Sequence, residues 1–207
     1  MSLSDSLQDG LAQLGCALGA AQQQQLLEYL ALLDKWNRAY NLTAVRVPAD
    51  MVPQHLLDSL SIRPYLYGEH VLDVGTGAGL PGIPLAVAEP DRQFVLLDSN
   101  GKKTRFVLQA AATLGLHNVE VVHGRIEGYE AAQPFDTIMS RAFATLADFI
   151  NGCAHLLAPH GHLLAMKGKH PADELAQLPG GWQCMAEHEL AVPGIAAERR
   201  VLEIFRI

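Results

Sequence analysis

The residues with the clearest chemical potential lie between Val71 and Gly82. Val71-Leu72-Asp73-Val74-Gly75-Thr76-Gly77-Ala78-Gly79-Leu80-Pro81-Gly82 reads as a strand, a glycine turn and a helix start. Glycines permit positive φ and let a ligand touch the backbone, and Pro81 suits a first helical turn, where its missing N–H would be unbonded anyway. Residues 77–82 match G-x-G-x-x-G, and Asp98 closes the next predicted strand, where a carboxylate can grip ribose hydroxyls. Taken alone, this pattern serves more than one nucleotide cofactor.

Charge separates the candidates. A nicotinamide dinucleotide places an anionic pyrophosphate at the helix N-terminus, and Asp73, two residues ahead of Gly75, would repel it. S-adenosylmethionine has no phosphate but carries an ammonium and a sulfonium, for which a carboxylate at the mouth of the turn is favourable. The plainer reading of Asp73 is a side chain that caps the turn, and that of Asp98 is a cap for the helix at Lys102.

Other reactive side chains are scattered. Cys16, Cys153 and Cys184 are far apart and odd in number, which argues against a disulfide framework and for buried reduced thiols. His160-Gly161-His162 can place two imidazoles on one side of a strand, but with no third ligand nearby a metal site is not expected.

These residues need a scaffold, and the pattern of the chain supplies one. The first seventy residues read as helices at Ser4 to Leu18, Ala21 to Asn37 and Ala49 to Arg63, the second with Leu26, Leu27, Leu30, Leu33 and Trp36 at helical spacing. From His70 onward short apolar runs alternate with helices, which specifies a mostly parallel sheet covered on both faces. Strands are expected at His70 to Val74, Gln93 to Asp98, Val119 to His123, Phe135 to Ser140 and Gly161 to Met166. The helices between them fall at Pro81 to Glu89, Lys102 to Leu114 and Leu146 to Leu157. Trp182 to Val192 and Arg199 to Ile207, joined by Pro193-Gly194, suggest an antiparallel pair at the end. The expected class is α/β and Rossmann-like: a helical N-terminal cap over residues 1–69 and a cofactor-binding core over 70–207, packed as one compact unit.

Composition bounds the function. The chain has 207 residues, 49% of them hydrophobic, enough for one substantial core. No apolar run approaches the roughly 18 residues that span a bilayer, and Met1 to Leu11 lacks the order of a secretory signal, so a cytoplasmic protein with no membrane partner is expected, and a monomer is taken as its state. A net charge of −7 excludes an indiscriminate polyanion binder. The charge is uneven: residues 1–98 carry 5 Lys+Arg against 11 Asp+Glu, whereas 99–169 carry 7 against 5. Any RNA-facing surface belongs to that middle stretch.

Asp73-Val-Gly-Thr-Gly-Ala-Gly-Leu-Pro-Gly-Ile-Pro-Leu-Ala86 closely resembles the first motif of the RsmG (GidB) family. Further matches span the chain: Asn41-Leu42-Thr43, His55-Leu-Leu-Asp58-Ser59-Leu60, Asp98 with Lys102-Lys103, Gly124-Arg125-Ile126-Glu127, Ser140-Arg141-Ala142 and Lys167-Gly168. Ile126 stands where the family commonly has Ala. The resemblance implies a class I methyltransferase with a seven-stranded sheet that uses S-adenosylmethionine to methylate N7 of a guanine in the 530 loop of 16S rRNA, in the small ribosomal subunit. It also implies a pocket. Gly75 and Leu80, with Gly77 and Gly79, would lie at the methionine end, Ile126 and Glu127 would hold adenine, and Arg141 would sit beside the cofactor. Ile126 can equally be core packing, and Arg141 an ordinary rim ion pair.

The acceptor chemistry follows from what stands after the fourth strand. Ser140-Arg141-Ala142-Phe143 lacks the Asn/Asp-Pro-Pro-aromatic tetrad of enzymes that methylate exocyclic amines, and no Cys stands there to attack a pyrimidine. Guanine N7 presents a lone pair and no proton, so no general base is required. The catalytic candidates are therefore positioning groups: Arg141 to orient guanine through O6, and Phe143 to stack on it, core packing being the plainer role for Phe143. Lys102, Lys103, Arg105, Arg125, Lys167 and Lys169 are candidate RNA contacts around the pocket, or else a solvated charged face. His55 and Asp58, one turn apart, can reach the cofactor from the cap or form a surface pair, and Asn41 can be a helix stop. Two other functions compete: an NAD-dependent oxidoreductase, and a non-catalytic cofactor-sensing, ribosome-binding module.

Overall fold

The computed structural model describes residues 2–141 and 143–207. Met1, and Ala142 of the Ser140-Arg141-Ala142 motif, lie outside the described residues.

The N-terminal third is helical. Helix α1 (Leu3–Gln13) opens with a reciprocal Ser2–Asp5 capping box and ends at Gln13, just before Gly15 turns at φ 63°. That turn stops the helix short of the expected Leu18. Helix α2 (Ala20–Tyr40) buries Leu26, Tyr29, Leu30, Leu33 and Asn37 along one stripe, and Asn41 ends it in the left-handed conformation at φ 50°. Asn41 is thus a helix stop, and its Oδ1 accepts from Arg46 Nη2 at 2.7 Å.

The third helical segment departs from the regular α-helix expected over Ala49 to Arg63. After α3 (Pro48–Met51), residues Val52–Leu57 form a π-helical turn before α4 (Asp58–Leu60), and the Asp58 N–H bonds the Pro53 carbonyl five residues back. Pro53 has no N–H, which relaxes the tighter ladder here, and the extra residue in the turn shifts the phase by about 100°. The consequence is burial on nearly every side: His55, Leu56, Leu57, Asp58, Ser59 and Leu60 are all buried.

The remainder builds a sheet of seven strands among the described residues, ordered β3-β2-β1-β4-β5-β7-β6. The strands are β1 (His70–Val74), β2 (Gln93–Asp98), β3 (Val119–His123), β4 (Phe135–Ser140), β5 (Leu157–Lys167), β6 (Trp182–Glu189) and β7 (Arg200–Arg206). The first five pair in parallel, whereas β7 runs antiparallel between β5 and β6. Helices α5 (Gly82–Ala88), α6 (Gly101–Leu114) and α7 (Leu146–Cys153) connect the parallel strands, and the short α8 (Ala172–Leu175) precedes β6.

The first four strands occupy the expected bounds. Strand β5 begins earlier, because Leu157 pairs with Phe135 and so α7 ends at Cys153. Gly161 is required there: a Cβ would sit 2.8 Å from the Phe135 and Asp136 carbonyls. One hydrophobic cluster joins the helical segment to the sheet, from Leu7, Tyr29 and Leu56 to Ile83, Phe106 and Met139. A second lies on the other face, around Leu72, Ile138, Phe149 and Leu163. No helix among the described residues is long and apolar enough to cross a membrane.

Candidate functional site

The strand order reverses between β1 and β4, and a parallel sheet opens a crevice beyond the carboxyl ends of its strands at such a point. A cleft of 420 Å³ lies to one side of it, over the carboxyl ends of β1, β2 and β3. Its walls come from Val74 and Gly75 at the end of β1, Leu97, Asp98 and Ser99 at the end of β2, Lys103 on α6, and Gly124 to Glu127 after β3.

Asp98 organises one wall. Its Oδ2 accepts the Gly77 N–H and its Oδ1 the Asn100 N–H, both at 2.8 Å. The cap of α6 is Asn100, which accepts from the Lys102 N–H, so Asp98 is left to face the cleft. Each of its oxygens keeps a lone pair able to receive a hydroxyl.

Asp73 is fully buried beneath the glycine turn. Its Oδ2 accepts the Thr76 hydroxyl at 2.7 Å and the Gly82 N–H at 2.9 Å, tying both ends of the turn. It therefore does cap the turn, but its Oδ1 is buried with no hydrogen-bond partner. Burial pushes the carboxyl up to about 6, although the Thr76 and Gly82 bonds and the Arg141 guanidinium oppose this. Such an atom is costly to leave unmade, and a cationic donor would relieve it.

The turn itself runs through positive φ at Gly75, Gly77 and Gly79 (70°, 63° and 88°). At Gly77 a Cβ would enter open space, the nearest heavy atoms being 3.9 Å away. At Gly82 it would run into the Leu96 side chain and stand 2.9 Å from Asp73 Oδ2. One glycine thus leaves room for a ligand, and the other lets the helix close on the carboxylate. A residue that sequence reasoning missed clamps the turn from outside: the buried Tyr29 hydroxyl donates to the Ala78 carbonyl at 2.7 Å. Its place on the apolar stripe of α2, between Leu26 and Leu33, was the available signal.

Among the expected cofactor contacts, Gly75, Asp98, Ile126 and Glu127 line the cleft together. Ile126 is 5% exposed and also joins the second core cluster, so it serves as both wall and packing. Gly77 reaches the cleft wall through Asp98, whereas Gly79 and Leu80 are buried behind the turn. Arg141 does not line the cleft; its Nη1 meets Asp58 Oδ2 at 3.4 Å. The half-buried Phe143 ring packs on Phe149, with centroids 5.1 Å apart, at the edge of the second core cluster.

Of the expected RNA contacts, Lys103 and Arg125 form part of the cleft wall. Lys102, Arg105, Arg125 and Lys169 are exposed. Lys167 is engaged: its Nζ lies 2.8 Å and 3.1 Å from the two Glu174 oxygens.

His55 and Asp58 are buried, so they form no surface pair. His55 Nε2 meets the Thr43 hydroxyl at 3.0 Å while its Nδ1 has no partner, and burial holds the imidazole down to about 4, neutral at physiological pH. Among the described residues no group of three His, Cys, Asp or Glu is placed to hold a metal. His162 is buried with its Nε2 on the Tyr65 carbonyl at 3.1 Å.

Comparison with known proteins adds a second line of evidence. A family model described as "GidB: rRNA small subunit methyltransferase G" matches residues 22–202. A ribosomal RNA small subunit methyltransferase G from Marinobacter nauticus is 56% identical over 200 residues, covering 97% of this chain and 94% of that protein. The protein of the same name from Pseudomonas aeruginosa is 55% identical over 204 residues, covering 98% and 95%. Among solved structures, the O-methyltransferase TomG from Streptomyces achromogenes, in complex with SAM, superposes with a TM-score of 0.59 at 17% identity, over 92% of this chain and 91% of that one. That last likeness is one of fold.

Proposed function

From the premise that the chain belongs to the rRNA small subunit methyltransferase G family, we propose that it transfers a methyl group from S-adenosylmethionine to N7 of a guanine in 16S rRNA, acting as a cytoplasmic monomer on the small ribosomal subunit. Family membership sets aside the oxidoreductase and the non-catalytic module. The observation that carries the cofactor assignment is Asp73 Oδ1, a buried carboxylate oxygen without a partner directly beneath the glycine turn.

The residues present fit the cofactor. Asp98 would accept the ribose hydroxyls, Ile126 would cover one face of the adenine, and Glu127 would meet its amino group. Gly75 and Gly77 admit the methionine end, and Asp73 offers its free oxygen to an ammonium. The cofactor, when bound, supplies a methyl on a sulfonium.

What the chain does for the transfer is place the acceptor. Guanine N7 needs no proton removed, so an in-line approach and a field suited to charge appearing on the purine suffice. Arg141, immediately after β4 and beside the turn, is the group suited to hold guanine O6. The exposed Lys102, Arg105, Arg125 and Lys169 would meet phosphate. An acidic chain has few such contacts to spend, so shape must supplement them, which favours a structured ribonucleoprotein over naked RNA.

The test offers methyl-labelled S-adenosylmethionine to undermethylated 30S particles and to stripped 16S RNA, followed by digestion. Label in 7-methylguanosine, greater from the particle, is the expected result. Label in another base or in protein overturns the assignment.

A further inference from the structure

Asp58 is the most deeply buried acid outside the glycine turn, its side chain 3% exposed, and it sits between two guanidinium groups from distant parts of the chain. Arg199 Nε donates to Oδ1 at 3.0 Å, and Arg141 Nη1 lies 3.4 Å from Oδ2. Each carboxylate oxygen thus faces its own arginine, Arg199 through a hydrogen bond and Arg141 through an ion pair. Arg199 comes from the segment leading into β7, Arg141 from the end of β4, and Asp58 from the helical segment. The π-helical turn ahead of Asp58 sets the phase that points this carboxylate inward.

On the proposed reading of the site as a methyl-transfer centre, we propose that Asp58 is a positioning residue, fixing the Arg141 guanidinium at the place where the guanine must be held. Arg141 is one-third exposed and, among the described residues, makes no other ion pair. A free arginine at a strand end spreads over many rotamers, and holding a substrate would then require freezing it at the moment of reaction. The Asp58 carboxylate does this in advance, leaving the other guanidinium N–H groups to face the acceptor. The neighbouring Ser140 hydroxyl donates to the Val74 carbonyl at the foot of the glycine turn at 2.7 Å, and Asp58 belongs to the helical segment, so the Arg141 head stands between the two. Arg199 completes the coordination of Asp58, so that its buried charge is never left to Arg141 alone.

The experiment uses the full chain. Asp58→Asn keeps the volume and removes the charge. Its kcat on 30S particles should fall about 10- to 100-fold, the cost of a misplaced group, while the Kd for S-adenosylmethionine changes by less than about threefold. Combined with Arg141→Ala it should cause no further loss, since both changes remove one function. Independently of turnover, the side-chain ¹⁵N spectrum of arginine should show the Arg141 guanidinium rotating slowly in the native protein and freely in Asp58→Asn. Asp58→Glu keeps the charge balance, so it remains informative if the Asn variant does not fold; a displaced carboxylate should lower kcat with cofactor affinity intact. Additive losses in the double variant, an unchanged Arg141 signal, or native kcat in either Asp58 variant would overturn the proposal. A native protein that binds cofactor and holds Arg141 but methylates no RNA would overturn the proposed function instead.

Discussion

Asp73 is where a single residue carries two opposed requirements. A carboxyl raised to about 6 from 3.8 disfavours its own charge; the folded apoprotein binds that proton more tightly than the unfolded chain, so stability from this group is lost as pH rises from about 4 through 6. Above pH 6 the ionised form costs about 3 kcal/mol by the conversion of two pKa units. Asp73→Asn should therefore not lower, and can raise, the melting temperature of the apoprotein at pH 8, while weakening cofactor binding. A bound ammonium favours the ionised carboxylate, so binding must release a proton near pH 6. Titration calorimetry in buffers of different ionisation heat should detect that release, and the affinity should fall as pH drops below 6. A pH-independent affinity would remove Asp73 from cofactor recognition.

At the scale of elements, the glycine turn divides into positions that open onto space and positions that are closed by packing. Gly77→Ala meets no nearby atom and pays only for a left-handed backbone, about 1 kcal/mol, yet it places a methyl beside the cofactor cleft. Gly82→Ala forces a methyl into Leu96 and toward Asp73, an overpacking that costs about 1–3 kcal/mol. Thermal melts should thus rank Gly82→Ala well below Gly77→Ala, whereas cofactor titration should show both impaired. Equal melting temperatures would contradict the division. The helical segment was less legible than the turn: its periodicity announced a helix, but the π-helical turn that buries Asp58 follows from Pro53 and from packing on every side, which the apolar pattern does not encode.

Across the whole molecule, the net charge of −7 and the exposed cations near the cleft pull in opposite directions for RNA. Lys102 and Arg105 are exposed on the first turns of α6, the helix that brings Lys103 to the cleft, and paired replacement by Ala should weaken RNA binding and reduce its salt slope by roughly one unit per lost phosphate contact. Lys167→Ala should leave that slope unchanged, because Glu174 already engages the ammonium. A slope unaffected by the first pair would place the RNA elsewhere. One apolar cluster runs from Leu7 through Leu56 to Phe106, so the helical residues preceding the sheet share their core with it. We propose that residues 1–69 and 70–207 unfold as one unit on that ground.

The sequence by itself determined the α/β class, the bounds of the first four strands, the glycine turn and the acidic residues at the ends of β1 and β2. These follow from local rules: period, turn chemistry and the charge that a short segment can carry. Only the tertiary structure decided which of the candidate residues share a wall, that Lys103 belongs to the cleft and Lys167 to an ion pair, and that Phe143 packs inward. It also joined Asp58 to Arg141 and Arg199, and Tyr29 to the turn. The reason is physical. A side chain's partners across 50 or 140 residues are set by how helices and strands dock, and neither its type nor its spacing carries that information. The turn at Val71 to Gly82 was readable because its strand, glycines and capping carboxylate are neighbours in the chain, whereas the groups that hold it and face its ligand arrive from elsewhere in the fold.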